Sequence, residues 1–254
     1  MLEIENIGVS FGGVHALRSV TFAAEANHVT SVVGPNGAGK TTLFNVVTGF
    51  QKPDTGKVVF DGHDVIGRRP SQIASAGLVR TFQKTEVFSE LPVERAVEIG
   101  TLCGRHFPIW QTIWPGNIRR TRKTSAGEAA SILQACGLSH LAGKYCSALS
   151  YGEQRILEIA LALAARPRLL MLDEPASGLN PTEARSLGDL ITGIRASGIG
   201  IVLIEHNMKL VMSISDRVVV LHHGEKIAEG DPNSVAGNQR VIDAYLGGNS
   251  LASA

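Results

Sequence analysis

The 254-residue sequence has little cysteine, few aromatic residues and almost no net charge. Its three cysteines, Cys103, Cys136 and Cys146, are odd in number and form no metal-ligand cluster, so we expect free thiols, as in a reducing cytosol. The formal net charge of +1 gives no global attraction to polyanions, so we predict no nucleic-acid partner.

The sequence also has no long apolar run. Glu3 and Glu5 interrupt the N-terminus, where a signal peptide would need apolar residues. No apolar stretch approaches the ~18 residues of a membrane-spanning helix. The longest candidate, Ile156–Ala165, contains Glu158 and is typical of a core helix. We therefore expect a soluble protein that reaches a membrane only through other subunits.

A glycine-rich segment, Gly34–Thr42, has the Gly-x-x-x-x-Gly-Lys-[Ser/Thr] pattern of a phosphate-binding loop. A predicted buried strand, Val29–Val33, precedes it, and a predicted helix, Thr42–Thr48, follows it. Backbone N–H groups in such a loop, together with the positive end of the helix, attract phosphate oxygens. Lys40 would add a charge at the β- and γ-phosphates, and Thr41 would offer its hydroxyl to Mg²⁺. The predicted ATP contacts of the loop are Gly34, Asn36, Gly37, Ala38, Gly39, Lys40, Thr41 and Thr42.

A second motif, Leu169–Glu174, is an apolar strand that ends in two carboxylates. In doubly wound folds this arrangement carries acids to the edge of the sheet where ligands bind. Asp173 would hold Mg²⁺ together with Thr41. Glu174 would polarise the attacking water as the catalytic base.

The order of the predicted elements indicates an α/β fold. Strands at Leu2–Ile7, Val20–Ala24, Val29–Val33 and Lys57–Phe60 predict a mixed sheet that leads into the loop. Beyond residue 150, strands alternate with helices, which favours parallel strands with crossover helices. The predicted strands there are Arg168–Leu172, Ile199–Glu205 and Arg217–Leu221, and the predicted helices are Pro181–Ala196 and Met208–Ile214. Between these two parts, helices predicted at Val93–Gly100 and Ser125–Cys136 indicate a small inserted helical subdomain. We predict a nucleotide-binding core of residues 1–90 and 150–247, a helical subdomain of residues 91–149 and a flexible tail of residues 248–254.

The segment Leu149–Gln154 reads Leu-Ser-Tyr-Gly-Glu-Gln and resembles the signature motif of ABC ATPases. Taken alone, Ser150 and Glu153 predict a capping box that starts an amphipathic helix. Other marks of that family follow in order. They are an aromatic residue, Phe11, after the first strand; Gln83 after a predicted strand, Val79–Phe82; a D-loop, Ser177–Asn180; and His206 after the strand Ile199–Glu205.

This resemblance implies an ABC ATPase fold and a working dimer. Each ATP would lie between the phosphate loop of one subunit and the signature of the other, so Ser150, Gly152 and Glu153 would contact the partner's nucleotide. It also implies that His206 senses the γ-phosphate, that Gln83 helps to hold Mg²⁺ and that Phe11 stacks on adenine. Tyr151, Glu153 and Asn180 depart from the commonest family residues, which leaves open how tightly the signature holds phosphate.

Within that family, the sequence more closely resembles the G-type ATP-binding subunits of branched-chain amino acid importers. The segments that carry this similarity are Arg80–Gln83, Leu149–Gly152, Leu157–Ala160, Ser177–Pro181, Glu205–Asp216 and Ala244–Gly247. It implies a second ATP-binding subunit, two transmembrane permease subunits and, indirectly, a solute-binding protein. The chain would then lie peripherally on the cytoplasmic face of the plasma membrane. Alternatives are urea or amide uptake, lipopolysaccharide-type export and a non-transport ABC ATPase.

The segment 103–123 combines aromatic and basic residues. It contains Phe107, Trp110, Trp114, Arg119, Arg120, Arg122 and Lys123. Three interpretations stay open: a docking surface for the membrane subunits, a site for nucleic acid or lipid headgroups, and a partly packed loop. His222 and His223 precede Gly224 and predict a turn rather than a metal site.

Overall fold

The computed structural model describes residues 1–81, 88–104 and 115–247, with the backbone alone for residues 115–123 and 246–247. The strands in these residues are β1 Leu2–Phe11, β2 Val14–Ala24, β3 Val29–Val33, β4 Thr55–Phe60, β5 His63–Asp64, β6 Leu78–Arg80, β7 Leu169–Asp173, β8 Gly200–Ile204, β9 Arg217–His222 and β10 Glu225–Gly230. The helices span Lys40–Val47, Pro70–Ser75, Val93–Cys103, Pro115–Ala135, Tyr151–Ala164, Pro181–Ala196, Met208–Ile214, Pro232–Ala236 and Gln239–Gly247. The predicted α/β fold class is confirmed.

An antiparallel sheet with the order β2-β1-β4-β5 forms the first layer. Residues of β1 such as Leu2, Ile4, Ile7 and Val9 are buried between more exposed neighbours, as expected for a strand with one face on the core. Both β1 and β2 are longer than predicted. Their outer halves were missed because register shifts interrupt the alternation of apolar and polar residues.

The second sheet has the order β10-β9-β3-β8-β7-β6, and only its edge strand β10 is antiparallel. The first four strands were predicted to share one mixed sheet, but β3 belongs to this second sheet. The reason is that every residue of β3 is buried, so the strand must be covered on both faces. The parallel strands β3, β7 and β8 end at one edge, and each is followed by a predicted site motif.

Helix boundaries follow their caps. The helices Pro181–Ala196 and Met208–Ile214 have the predicted bounds, and Asn180 and Asn207 accept hydrogen bonds from the N–H groups of their first turns. The helix Pro115–Ala135 begins well before the predicted start at Ser125, because its first half has no apolar periodicity to mark it. No helix within the described ranges combines the length and the apolar character that a bilayer crossing requires.

The helix Tyr151–Ala164 joins two hydrophobic clusters. Leu157, Ala160 and Ala164 pack with the helices Val93–Cys103 and Pro115–Ala135. On another side of the same helix, Ile159 and Ala162 pack with β7 and the helix Pro181–Ala196. This helix therefore ties the helical segment to the sheet. The predicted division into core and subdomain stays a prediction.

Candidate nucleotide-binding site

The phosphate loop leaves β3 at Val33 and ends in the helix Lys40–Val47. Gly34 and Gly39 have φ values of 151° and 100°, in the region that favours glycine. A Cβ on Gly34 would lie 2.1 Å from the carbonyl oxygen of Leu221, and one on Gly39 would lie 2.5 Å from that of Ala16. The loop is thus held between β9 and β2, with no room for larger residues at these positions.

The concave side of the loop remains available to a ligand. Asn36, Gly37 and Thr41 are exposed, Thr42 is half-buried, and Ala38 is buried beneath them. Gly39 is the N-cap of the following helix and supplies no side-chain cap. The first N–H groups of that helix therefore lack a side-chain acceptor, which is the arrangement that binds anions at helix N-termini.

Lys40 is held over this loop. Its ammonium Nζ donates to the carbonyl oxygens of Gly34 at 2.7 Å and Pro35 at 2.9 Å, and the residue is only 6% exposed. Burial lowers the pKa of Lys40, while the charges of Glu174 and Asp173 act in the opposite direction. A buried ammonium with only carbonyl partners is suited to accept an anionic phosphate.

Asp173 lies at the end of β7 and is almost fully buried. Its Oδ2 accepts a hydrogen bond from Arg80 Nη2 at 2.6 Å. The other terminal nitrogen of Arg80, Nη1, donates to Asn45 Oδ1 at 2.7 Å. No sequence motif marks Arg80 as a site residue, because its partners are distant in sequence.

Glu174 and His206 lie side by side at the same edge of the sheet. Glu174 Oε1 and His206 Nε2 are 2.6 Å apart, and both side chains are partly exposed. Glu174 has a φ of 48°, which is uncommon outside glycine, and its N–H donates to the carbonyl oxygen of Ile204. Two residues predicted from separate motifs are thus brought within hydrogen-bond distance.

Glu205 is a further site residue that motif analysis missed. It is 3% exposed, and its Oε1 accepts from the Ala176 N–H at 2.7 Å. Its Oε2 accepts from the N–H groups of His206 at 3.0 Å and Asn207 at 3.3 Å. The sequence does contain a signal for Glu205, which is an acid that directly follows an otherwise apolar strand. A carboxylate in such a buried place needs hydrogen-bond partners.

The signature segment begins its helix with the predicted capping box. The Ser150 N–H donates to Glu153 Oε2 at 2.7 Å, and the Glu153 N–H donates to Ser150 Oγ at 3.3 Å. The hydrogen bond from the Ser150 backbone is the main cause that lowers the pKa of Glu153. Ser150 itself is exposed, so the N-terminus of this helix faces outward.

Tyr151, which departs from the family pattern, packs against the D-loop of its own chain. A Cβ on Gly178 would lie 2.9 Å from Tyr151 Cε1, so the ring lies directly on that glycine. Arg155 stacks 4.9 Å from the ring centre and donates to the Tyr151 hydroxyl at 2.6 Å from Nη2. A Cβ on Gly152 would similarly approach Glu183 Oε1 at 2.9 Å. The signature segment and the D-loop of one chain therefore pack against each other.

Phe11 ends β1 and is 50% exposed, next to the even more exposed Val14 across the hairpin. An exposed aromatic ring of this kind is available for stacking. Gln83 lies outside the described residues, as do Phe107, Trp110 and Trp114. Arg119, Arg120, Arg122 and Lys123 lie in the backbone-only part of a helix, so the interpretations of the segment 103–123 stay predictions.

The predicted turn lies at His223 and Gly224, between β9 and β10, whereas His222 is the last residue of β9. The ring centroids of His222 and His223 are 4.0 Å apart. Among the residues with described coordinates, no group of three or more histidine, cysteine, aspartate or glutamate residues is arranged to hold a metal ion.

Two family models match this chain. One, described as "ABC transporter", matches residues 17–177, and the other, described as "Branched-chain amino acid ATP-binding cassette transporter", matches residues 225–249. The chain is 42% identical to the high-affinity branched-chain amino acid transport ATP-binding protein BraF of Pseudomonas aeruginosa, covering 97% of this chain and 98% of the relative. It is 40% identical, with the same coverage, to the protein LivG of Escherichia coli, which carries the same description.

Solved structures agree with these relatives. The fold is similar to the ADP conformation of an ATP-binding cassette of an ABC transporter, with a TM-score of 0.85, 32% identity and coverage of 97% of this chain and 98% of the other. A nucleotide-free ATP-binding cassette gives a TM-score of 0.84 at 32% identity, with coverage of 96% and 98%.

Proposed function

Because this chain belongs to the ATP-binding subunits of ABC transporters, and within them to the branched-chain amino acid family, we propose that it powers uptake of branched-chain amino acids. As a member of this family it is an ATPase. The match of residues 225–249 to a branched-chain family model favours this cargo over urea, amides or lipopolysaccharide. The observation that carries the proposal is the meeting of the phosphate loop, Asp173, Glu174 and His206 at one edge of the parallel sheet.

ATP would bind with its phosphates in the loop Gly34–Thr42. Lys40 would exchange its two carbonyl partners for β- and γ-phosphate oxygens, and the N–H groups that follow Gly39 would bind the same anion. Phe11 would stack on adenine, since its ring is exposed at the rim of the first sheet. These residues bind and orient the nucleotide.

Hydrolysis would depend on Glu174 and His206. Glu174 would accept a proton from the attacking water, whose oxygen bonds to the γ-phosphorus while the bond to the bridging oxygen breaks. Without nucleotide, His206 Nε2 lies 2.6 Å from Glu174 Oε1. With ATP bound, His206 would turn its N–H from this carboxylate to the γ-phosphate, which leaves Glu174 free to act as the base. Half-exposure of both side chains leaves access for water and phosphate.

The residues at the site also fit Mg²⁺. Mg²⁺ prefers hard oxygen ligands, and the exposed hydroxyl of Thr41 and the carboxylate of Asp173 provide them. When bound, Mg²⁺ neutralises charge on the phosphates. Gln83 is a third proposed ligand.

A second cassette would complete the site. Ser150, Gly152 and Glu153 would contact the nucleotide of the partner subunit, because the exposed N-terminus of the helix Tyr151–Ala164 is suited to an anion. The partner is a second copy or a related ATP-binding subunit.

Two permease subunits and, through them, a solute-binding protein would complete the importer. This chain would lie on the cytoplasmic face of the membrane. Residues 1–90 and 150–247 would bind nucleotide, and residues 91–149 would form the helical subdomain.

The substitution Glu174→Gln tests this assignment. Removing the base is expected to lower the rate of ATP hydrolysis by about 10²- to 10⁴-fold while leaving nucleotide affinity nearly unchanged. The matched control is Glu25→Gln, an exposed carboxylate beyond the opposite end of β3, which should hydrolyse ATP like wild type. If Glu174→Gln hydrolysed ATP at the wild-type rate, Glu174 would not be the base.

A further inference from the structure

Arg80 connects three elements that surround the phosphate loop. It ends β6, its Nη2 donates to Asp173 at the end of β7, and its Nη1 donates to Asn45 in the helix Lys40–Val47. Its guanidinium also lies 5.7 Å from the ring centre of Phe44 in the same helix. One side chain thus spans β6, β7 and the helix that follows the loop.

The attachment point on the helix is important. Asn45 is four residues after Thr41, and residues at this spacing share a helix face. Thr41 and Asp173 are the proposed magnesium ligands, so Arg80 reaches one of them directly and the other through its helix. The arginine therefore bridges the two elements that carry these ligands.

Arginine suits this task because its guanidinium is planar and permanently charged, with its donors in a fixed fork. Both its side chain and that of Asp173 are largely buried, which strengthens a charge-assisted hydrogen bond. Arg80 bonds only Oδ2 of Asp173, and no described residue donates a hydrogen bond to Oδ1. The bridge can therefore hold the carboxylate and still leave one oxygen for another partner.

We propose that Arg80 is a positioning residue that fixes Asp173 relative to Thr41, so that the two oxygen ligands are set for the magnesium–nucleotide complex before it arrives. This rests on the proposed function, since it takes Thr41 and Asp173 as metal ligands. Arg80 itself touches neither nucleotide nor metal in this account. Its effect should appear in the part of nucleotide affinity that depends on Mg²⁺.

The test compares the affinity for a fluorescent non-hydrolysable ATP analogue in excess EDTA and in excess Mg²⁺. We call the dissociation constant in EDTA divided by the dissociation constant in Mg²⁺ the magnesium gain. Arg80→Met keeps the long apolar stem but removes both hydrogen bonds, and it should lower the gain by about tenfold, as loss of an outer-shell partner does. Affinity in EDTA should stay within about twofold of wild type, because the loop and Lys40 are untouched.

Two further variants make the result specific. Asn45→Ala removes one arm of the bridge and should lower the gain by about threefold, the value of one hydrogen bond. Arg168→Met is the control. Arg168 also pairs with an aspartate, Asp61, and lies 5.6 Å from an aromatic ring, that of Phe60, but it is more exposed and precedes the opposite end of β7. Its substitution should leave the gain unchanged. Thermal melts show whether each variant folds. If Arg80→Met does not fold, the magnesium gain of Asn45→Ala tests the proposal: a lowered gain supports it and an unchanged gain overturns it.

An unchanged or increased gain in Arg80→Met, or equal weakening in EDTA and Mg²⁺, would overturn the role of Arg80 and leave the proposed function standing. A wild-type chain with no magnesium gain would instead overturn the proposed metal site, and the role of Arg80 with it. A reduced gain in both site variants, with the Arg168 control unaffected, supports the proposal.

Discussion

Each charged side chain at the centre of the site has defined partners. Lys40 is bonded to two loop carbonyls, Asp173 to Arg80, and Glu205 to three backbone N–H groups. Burying these charges would be unfavourable without such partners. The residues are therefore held in place by the protein itself, and a ligand meets a site that is already organised.

The substitution Lys40→Ala should weaken ATP binding. It removes the ammonium that lies over the loop, and hydrogen bonds to charged groups contribute about 1.5–3 kcal/mol, which corresponds to roughly 10- to 100-fold in affinity. Titration with a fluorescent ATP analogue measures this. Lys57→Ala, an exposed lysine of the first sheet, is the control and should bind normally. Wild-type affinity in Lys40→Ala would rule out the predicted phosphate contact.

The three cysteines should differ sharply in reactivity. Cys103 is exposed, whereas burial raises the pKa of Cys136 to about 12 and also raises that of Cys146. Only the thiolate is nucleophilic, so the raised pKa values, together with burial, should slow the reaction of Cys136 and Cys146. A thiol-reactive disulfide reagent should titrate one group rapidly in the native chain and the other two only on unfolding. Cys103→Ser should abolish the rapid phase, and persistence of that phase would contradict this assignment.

At the scale of elements, Glu205 joins the loops that follow two neighbouring strands. One carboxylate oxygen holds Ala176, after β7, and the other holds His206 and Asn207, after β8. Those loops carry Glu174 and the D-loop on one side and His206 on the other. A single buried side chain thus fixes the relative position of Glu174 and His206.

Glu205→Ala should lower the free energy of unfolding by about 2–4 kcal/mol, since it leaves buried N–H groups without acceptors. Glu205→Gln retains an acceptor oxygen and should lower the free energy of unfolding by less than Glu205→Ala does. Urea denaturation measures both, with the exposed Glu25→Ala as the reference, which should stay within about 0.5 kcal/mol of wild type. Equal stability of Glu205→Ala and wild type would contradict a structural role for these hydrogen bonds.

Elements with strong local signals were predictable from the sequence. The strand β3 and the helices Pro181–Ala196 and Met208–Ile214 have the predicted bounds, because continuous burial and capping side chains mark them locally. The contact between Glu174 and His206 was not predicted, because it depends on β7 and β8 being neighbours in the sheet. The roles of Arg80 and Glu205 were not predictable, because they depend on contacts between strands that are adjacent in the sheet and distant in sequence.

At the scale of the whole molecule, the exposed residues of the site indicate a second cassette. Asn36, Gly37 and Thr41 of the phosphate loop are solvent-exposed, and so is Ser150 at the start of the signature helix. An anion in the loop would therefore have an uncovered face, and an exposed helix N-terminus of another chain is suited to cover it. We therefore propose that two cassettes enclose ATP between them.

Light scattering of the isolated chain with Mg²⁺-ATP tests that claim most directly. We expect Glu174→Gln to bind ATP, to hydrolyse it far more slowly than wild type, and therefore to double its mass when ATP is added. Adding Ser150→Asp keeps a good N-cap for the helix but places a carboxylate against the partner's phosphate. The double variant should therefore bind ATP through its own loop and remain a single chain. A doubled mass that survives Ser150→Asp would contradict the account. So would a single-chain mass for Glu174→Gln at saturating ATP, both alone and mixed with the second ATP-binding subunit of the same importer.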